Sequence, residues 1–177
     1  MTIHTVYIAL GSNLCNPIQQ VDNALRSLKN LPKTRLETHS SLYRTAPLGP
    51  QNQLDYINAV AVLNTQLTPN VLLSRLQQIE RKQGRIRTAQ RWGPRTLDLD
   101  ILLYDNVQSK NPRLTLPHPG LQDRAFVLYP LFECAPALVL PDGKKLSELI
   151  IHSSTNGLQK LEAHLPACQK QKIMSNC

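Results

Sequence analysis

The run Leu97-Asp98-Leu99-Asp100-Ile101-Leu102-Leu103-Tyr104 alternates apolar and acidic residues and then becomes wholly apolar. This is the pattern of a strand whose first half shows one face to a site or to water and whose second half enters the core. It is the fourth strand along the chain, and it completes the order β-α-β-β-α-β. That succession predicts the split βαβ arrangement of ferredoxin-like folds, in which two helices cover one face of an antiparallel sheet and leave the other open. The fold class expected is α+β.

Upstream, Thr5 to Leu10 reads as a short buried strand ending in the turn Gly11-Ser12-Asn13, where glycine permits angles that other residues resist. Asn16 is expected to cap a helix with Pro17 at its first position. Ile18, Val21, Leu25, Leu28 and Leu31 form its apolar stripe, and Pro32 ends it. Arg35 to Tyr43 and Tyr56 to Asn64 read as two strands joined by the long loop Thr45 to Gln53, a place where function often sits. Thr68 and Pro69 open a second helix with Leu72, Leu76 and Ile79 inward, and Gly84 closes it as a left-handed residue. Beyond Asp105 the sequence predicts additional C-terminal elements: a Pro-bounded loop, a short helix around Gln122 to Leu131, and a turn at Pro141-Asp142-Gly143. A polar tail follows Thr155.

The chain has 177 residues, 41% of them hydrophobic and 18% charged. A domain of this size removes about 70% of its unfolded surface from water and needs no disulfide or metal to fold. Cys15, Cys134, Cys168 and Cys177 form no C-x-x-C pair, and no signal-peptide pattern opens the chain, so a cytoplasmic protein is expected. The most apolar stretch, Ala125 to Leu140, is broken by Pro130, Glu133 and Pro136, which excludes a membrane span. Twenty Lys and Arg against 12 Asp and Glu leave a net charge of +8, which favours an anionic partner. Arg81, Lys82, Arg85, Arg87, Arg91 and Arg95 supply most of that excess in one acid-free stretch.

The chemistry concentrates at Arg91-Trp92-Gly93-Pro94-Arg95-Thr96-Leu97-Asp98-Leu99-Asp100. On a strand, Asp98 and Asp100 project from the same face, roughly 6.5 to 7 Å apart. Two such carboxylates suit Mg²⁺, which takes its remaining ligands from water and substrate phosphates. Alone, Asp-x-Asp is also what any one-sided strand shows. Trp92, Gly93 and Pro94, however, make a stiff turn that sets Arg95 beside the acids, and a guanidinium fork matches phosphate oxygens. Cationic clamp and metal site together are what phosphoryl or pyrophosphoryl transfer requires. Neither a P-loop nor a Gly-x-Gly-x-x-Gly is present. The basic loop is expected to be disordered when empty and to close over a nucleotide. His118, between Pro117 and Pro119, is either a phosphate ligand or an ordinary loop residue. Tyr56 and Asn58 share a strand face and could flank a planar heterocycle.

These residues resemble the 6-hydroxymethyl-7,8-dihydropterin pyrophosphokinases of folate biosynthesis. The likeness runs from about Val6 to Leu146: Ile8 to Asn13, Tyr43 to Gly49, Tyr56-Ile57-Asn58, the specific signature Arg91 to Leu102, and Leu116-Pro117-His118-Pro119 with Arg124-Ala125-Phe126. The resemblance implies a three-layer α/β/α elaboration of the ferredoxin-like core and transfer of the β,γ-pyrophosphate of ATP to the pterin hydroxymethyl group, releasing AMP. It implies that Asp98 and Asp100 hold two Mg²⁺ ions and that Arg85 and Arg95 assist the transferring phosphates. Glu80, Arg87, Arg91, Trp92, Ile101, Arg113, Leu114, Thr115, His118 and Arg124 would border ATP. The pterin would lie between Tyr56 and Phe126, with Gly11, Thr45, Ala46, Pro47, Leu48, Asn58 and Trp92 around it. Thr88, Ala46 and Arg113 are modest departures from the family pattern.

The expected organisation is a catalytic domain over 1–155 and a tail over 156–177. With no dihydroneopterin aldolase or dihydropteroate synthase domain recognised, a single activity is expected, from a monomer with no nucleic-acid or membrane partner. An RNA-binding ferredoxin-like module is the rival suggested by charge and fold, but two Phe, one Trp and no RNP1-like segment argue against it. A sugar-nucleotide transferase reading of Asp98-Leu99-Asp100 asks for a larger nucleotide-binding sheet than 177 residues provide.

Overall fold

A computed structural model describes residues 2–50, 52–86 and 93–162. In chain order, β1 (His4–Ser12), α1 (Pro17–Lys29), β2 (Thr34–His39), β3 (Tyr43–Thr45), β4 (Tyr56–Thr65), α2 (Pro69–Lys82) and β5 (Asp98–Tyr104) form the expected βαββαβ core. β1 lies between β4 and β5 and is antiparallel to both. β2 pairs antiparallel with the far side of β4, so β4 is inserted between two parallel strands. The split βαβ reading is borne out.

Alternation along the strands builds two cores. On one face Val6, Ile8 and Leu10 meet Ile57, Ala59, Leu63, Leu99 and Ile101, under the stripes Val21, Leu25, Leu28 of α1 and Leu72, Leu76, Ile79 of α2. On the other, Val60 and Leu102 pack against Val127, Leu128 and Leu131 of α3 and Leu146 of α4. The helices α3 (Ala125–Cys134) and α4 (Leu146–Ile151) thus supply the third layer. The face that a bare split βαβ unit would leave open is covered here, which removes the open stacking platform an RNA-binding module needs. Among the described residues no helix is long and apolar enough to cross a membrane.

Four local readings change. The strand expected over Arg35 to Tyr43 is two strands, because the buried Ser40 interrupts the ladder. Its Oγ accepts from Val60 N at 3.0 Å and donates to Ser41 O at 2.7 Å, giving the backbone a side-chain partner in place of a strand. Gly11 lies inside β1, which runs on to Ser12, and it is not among the residues with positive φ. Its value is therefore space rather than backbone freedom. Asn16 precedes α1 in the left-handed region (φ 61°), and neither it nor Thr68 makes a side-chain cap bond. α3 starts three residues later than expected and continues past the buried Pro130 to Cys134.

At the end of α2 Gly84 has φ 78°, Gly84 N–H donates to Arg81 O, and Arg85 N–H donates to Glu80 O, both within 3.1 Å. These are the two bonds of a Schellman stop. They fold the backbone of Arg85 back over Glu80. Downstream, β6 (Ser109–Asn111) and β7 (Leu114–Leu116) form a hairpin, and β8 (Leu158–Lys160) pairs antiparallel with β3. The segment expected as a polar tail after Thr155 therefore contributes a sheet strand before the described residues end.

Candidate active site

Cross-strand register assembles the site. Asp98 of β5, Gly11 of β1, Asn58 of β4 and Tyr43 of β3 stand directly opposite one another in a single rung, and Asp100, Ala9 and Val60 form the next rung on the same face. Glycine and alanine in the middle of these rungs leave a hollow between the acids on one side and the amide on the other. The hollow is a cavity of about 320 Å³. Its wall includes Gly11, Thr45, Ala46, Pro47, Leu48, Tyr56 and Asn58 on one side and Arg95, Asp98, Asp100, His118, Arg124 and Phe126 on the other. All are among the residues the sequence points to.

The polar end is a dense charge network. Asp98 Oδ1 accepts from Arg85 Nη1 and Asp98 Oδ2 from Arg95 Nη1. Arg85 Nη1 also pairs with Glu80 Oε1 and donates to Leu97 O at 3.1 Å. Glu80, only 3% exposed, accepts from Leu99 N at 2.9 Å and so ties α2 to β5. Burial opposes ionisation of Asp98, but the two guanidinium groups prevail and hold it below the usual carboxylate range. Asp100 goes the other way: burial, then the like charges of Asp98 and Glu80, push it up to about 7. Although 45% of its side chain stays accessible, that access is to the cavity, with Asp98 beside it, and not to open solvent. A site with one acid compensated and the next one strained by like charge is short of positive charge.

His118 follows β7 and faces this end. Gly120 N–H donates to His118 Nδ1 at 3.0 Å, so in the neutral ring the proton sits on Nε2, which lies 3.9 Å from Asp100 Oδ2. Burial, assisted by Arg124, lowers the His118 pKa and keeps the ring neutral. At Gly120 a Cβ would fall 2.4 Å from Arg124 Cζ, so the missing side chain is what lets the guanidinium lie against the backbone. At the other end, Asn58 Nδ2 donates to Thr45 Oγ1 at 2.9 Å, and Tyr56 OH donates to Gly93 O at 3.2 Å.

Several expected ATP contacts lie off the cavity wall. Glu80 and Arg85 stand behind Asp98, Ile101 is in the core of the opposite face, and Leu114 and Thr115 belong to the β6–β7 hairpin. Arg113 borders a separate groove with Asn70, Val71, Ser74, Arg75 and Gln78 of α2. Arg87, Arg91 and Trp92, and the expected ordering of their loop, fall outside the described residues. Among the described residues no group of three or more His, Cys, Asp or Glu side chains is placed to hold a metal alone. Mg²⁺ does not need one, since one or two carboxylates suffice when phosphates complete its shell. The paired oxygen donors and the unmet negative charge at Asp100 fit such an ion.

The sequence model of the 7,8-dihydro-6-hydroxymethylpterin-pyrophosphokinases (HPPK) matches residues 7–136. The chain belongs to this family. It is 52% identical over 157 residues, 89% of this chain and 98% of the relative, to the 2-amino-4-hydroxy-6-hydroxymethyldihydropteridine pyrophosphokinase of Haemophilus influenzae. With the protein of the same name from Pseudomonas aeruginosa it shares 52% identity over 159 residues, 90% and 98% of the two chains. Its fold is similar to that of an HPPK-DHPS crystallised with substrates, with a TM-score of 0.72 at 10% identity over 92% of this chain. The chain spans about half, 47%, of that HPPK-DHPS polypeptide.

Within the HPPK frame, Asn13, which the sequence shows only as a turn residue, has a role of its own. It is fully buried, its Oδ1 accepts from Arg95 N at 2.8 Å, and its Nδ2 donates to Leu54 O at 3.2 Å and to Gln53 Oε1 at 3.3 Å. One amide thus joins the loop that presents Arg95 to the loop that walls the other end of the cavity. The signal available was an amide placed just past the end of a buried strand, where its backbone neighbours are loops rather than ladder.

Proposed function

We infer that the chain transfers the β,γ-pyrophosphate of ATP to the hydroxymethyl group of 6-hydroxymethyl-7,8-dihydropterin and releases AMP, a step of folate biosynthesis. One observation carries the reading at atomic level: a single cavity joins the Asp98–Asp100–Arg95 end, built for metal-bound phosphates, to a slot between Tyr56 and Phe126 with the Asn58 amide and Thr45 beside it. The slot suits a flat heterocycle with hydrogen-bonding edges.

Asp98 and Asp100 are the residues proposed to hold Mg²⁺, with two ions expected. When bound, such ions neutralise polyphosphate charge and orient the transferring group. Arg95 faces the same oxygens, and Arg85, held behind Asp98 by Glu80, fixes the carboxylate from the rear. Tyr56, Asn58 and Phe126 hold the pterin so that its hydroxymethyl oxygen meets the β-phosphorus. The oxygen–Pβ bond forms as the bond from Pβ to the α-bridging oxygen breaks, AMP leaves with that oxygen, and the hydroxyl proton passes to phosphate or water. Proximity supplies much of the acceleration, and the loose transition state makes little demand on a general base. His118 Nε2–H and Arg124 are placed to donate to phosphate oxygens.

The test is to incubate the purified chain with Mg·ATP and the hydroxymethyl-dihydropterin and to identify the nucleotide product. AMP formed in step with pterin pyrophosphate is expected. Formation of ADP, or nucleotide turnover indifferent to the pterin, would reject the reading.

A further inference from the structure

Far from the phosphate end, one carboxylate gathers three segments of the chain. Glu133 lies in the last turn of α3, seven residues or about 10.5 Å along the helix from Phe126. Its Oε1 accepts from Ser41 N at 3.1 Å and Ser41 Oγ at 2.7 Å, and Lys160 Nζ lies 3.3 Å away. Its Oε2 accepts from Tyr43 OH at 2.7 Å. Ser41 sits at the break between β2 and β3, Tyr43 opens β3, and Lys160 closes β8, where it is the register partner of Tyr43. Leu161 N–H donates to Leu42 O at 2.8 Å and extends the same seam.

The position of this clasp matters because β3 is short. It pairs with β4 through three residues and with β8 through three. A ladder of that length is marginal by itself, and a slip of one residue would reverse every side chain. In the observed register Tyr43 and Thr45 face α3 and the cavity. Thr45 Oγ1 then accepts from Asn58, and Ala46, Pro47, Leu48 and Gly49 continue as cavity wall. Arg44 would occupy that face after a slip. The donors around Glu133 also hold its pKa down despite partial burial, so the carboxylate is charged near neutral pH.

We propose that Glu133 is a positioning residue for the pterin-side wall: through Ser41, Tyr43 and Lys160 it sets the register of β3, so that α3 supports the pterin slot from Phe126 at one end and from Thr45–Gly49 at the other. The wall's assignment to the pterin rests on the function inferred above. β8 is then part of the binding apparatus.

The test uses the full chain carrying Glu133→Ala, Glu133→Gln or Tyr43→Phe. The measurements are the two KM values, kcat, and amide hydrogen exchange of residues 43–45 without ligand. Glu133→Ala is expected to raise the KM for the pterin about tenfold, equivalent to about 1.4 kcal/mol, while the KM for Mg·ATP and kcat change less than about twofold. Exchange of the β3 amides rises by a similar factor. Glu133→Gln, which keeps neutral acceptors, restores part of the loss, and Tyr43→Phe gives a smaller shift in the same direction. An unchanged pterin KM in folded Glu133→Ala overturns the proposal, and so does an equal rise in both KM values. If Glu133→Ala does not fold, an unchanged pterin KM in both conservative variants overturns it instead. Should the parent chain make no AMP, the function fails, and β3 exchange alone decides whether Glu133 sets the wall.

Discussion

Asn13 and Arg95 are joined twice: Asn13 N–H donates to Arg95 O at 3.1 Å, and Arg95 N–H donates to Asn13 Oδ1 at 2.8 Å. The guanidinium that meets Asp98 is therefore aimed by a buried amide just past the end of β1 and not by its own turn alone. Asn13→Ala strips an acceptor from Arg95 N and a donor from Leu54 O. It should lower stability by about 2 kcal/mol and reduce kcat more than either KM, checked by thermal melts and steady-state kinetics.

Asp98 and Asp100 should differ when each is neutralised. Asp98→Asn removes the charge that pairs with two arginines and turns one of the two accepting oxygens into a donor, and should lower the melting temperature. Asp100→Asn relieves like-charge repulsion from Asp98 and Glu80 and should leave the melting temperature unchanged or raised. Both should lower AMP formation at least about 10²-fold. A fully active Asp100→Asn enzyme would remove the carboxylate pair from the mechanism.

Arg85 compensates a nearly buried Glu80. Arg85→Ala removes the guanidinium that pairs with Glu80 and Asp98, and loss of one partner of a buried pair costs about 3–5 kcal/mol. Adding Glu80→Gln, which keeps an acceptor for Leu99 N, should recover much of the lost stability without recovering turnover. Denaturant titration of the two single variants and the double variant measures the coupling.

Gly120→Ala places a methyl group where Arg124 now lies. The obstructed atoms are the far end of a flexible side chain, so the fold should tolerate the change with little loss of melting temperature. Displacement of the guanidinium should raise the KM for Mg·ATP several-fold and leave the KM for the pterin nearly unchanged.

Glu133 has its pKa lowered by its donors, so it contributes stability above the ordinary carboxylate range and loses it as pH falls through the lowered value. The melting-temperature difference between the parent chain and Glu133→Gln should be constant near neutrality, begin to shrink as pH falls through the ordinary Glu range of about 4.3, and reach its limit only below the lowered value.

How much of this was legible before the structure depended on the range of the interaction. The alternation around Asp98 and Asp100, the stripes of α1 and α2, and Gly84 as a helix stop are local patterns, and each appears where expected. Side-chain bonding by Ser40 broke one expected strand in two, since a serine that satisfies backbone groups leaves no mark on a hydrophobic pattern. The basic run was visible, but not that Arg85 turns inward to Glu80, because that contact follows from a Schellman turn meeting a strand. The roles of Asn13 and Glu133 were hidden for a similar reason: their partners are distant in sequence. β8 is three residues of an edge strand, too short to carry a period.

The small residues between the acids and Asn58 carry a medical consequence. A Cβ at Gly11 would sit 3.4 Å from Asn58 Oδ1, an ordinary contact that the sheet can absorb. If the pterin lies in this cavity as proposed, one added methyl would nonetheless occupy the floor on which a bicyclic inhibitor rests. On that assignment Gly11 would be a position where resistance to pterin-mimicking drugs arises by a single inexpensive step, and compounds that draw their affinity from the phosphate end instead would be less exposed to it.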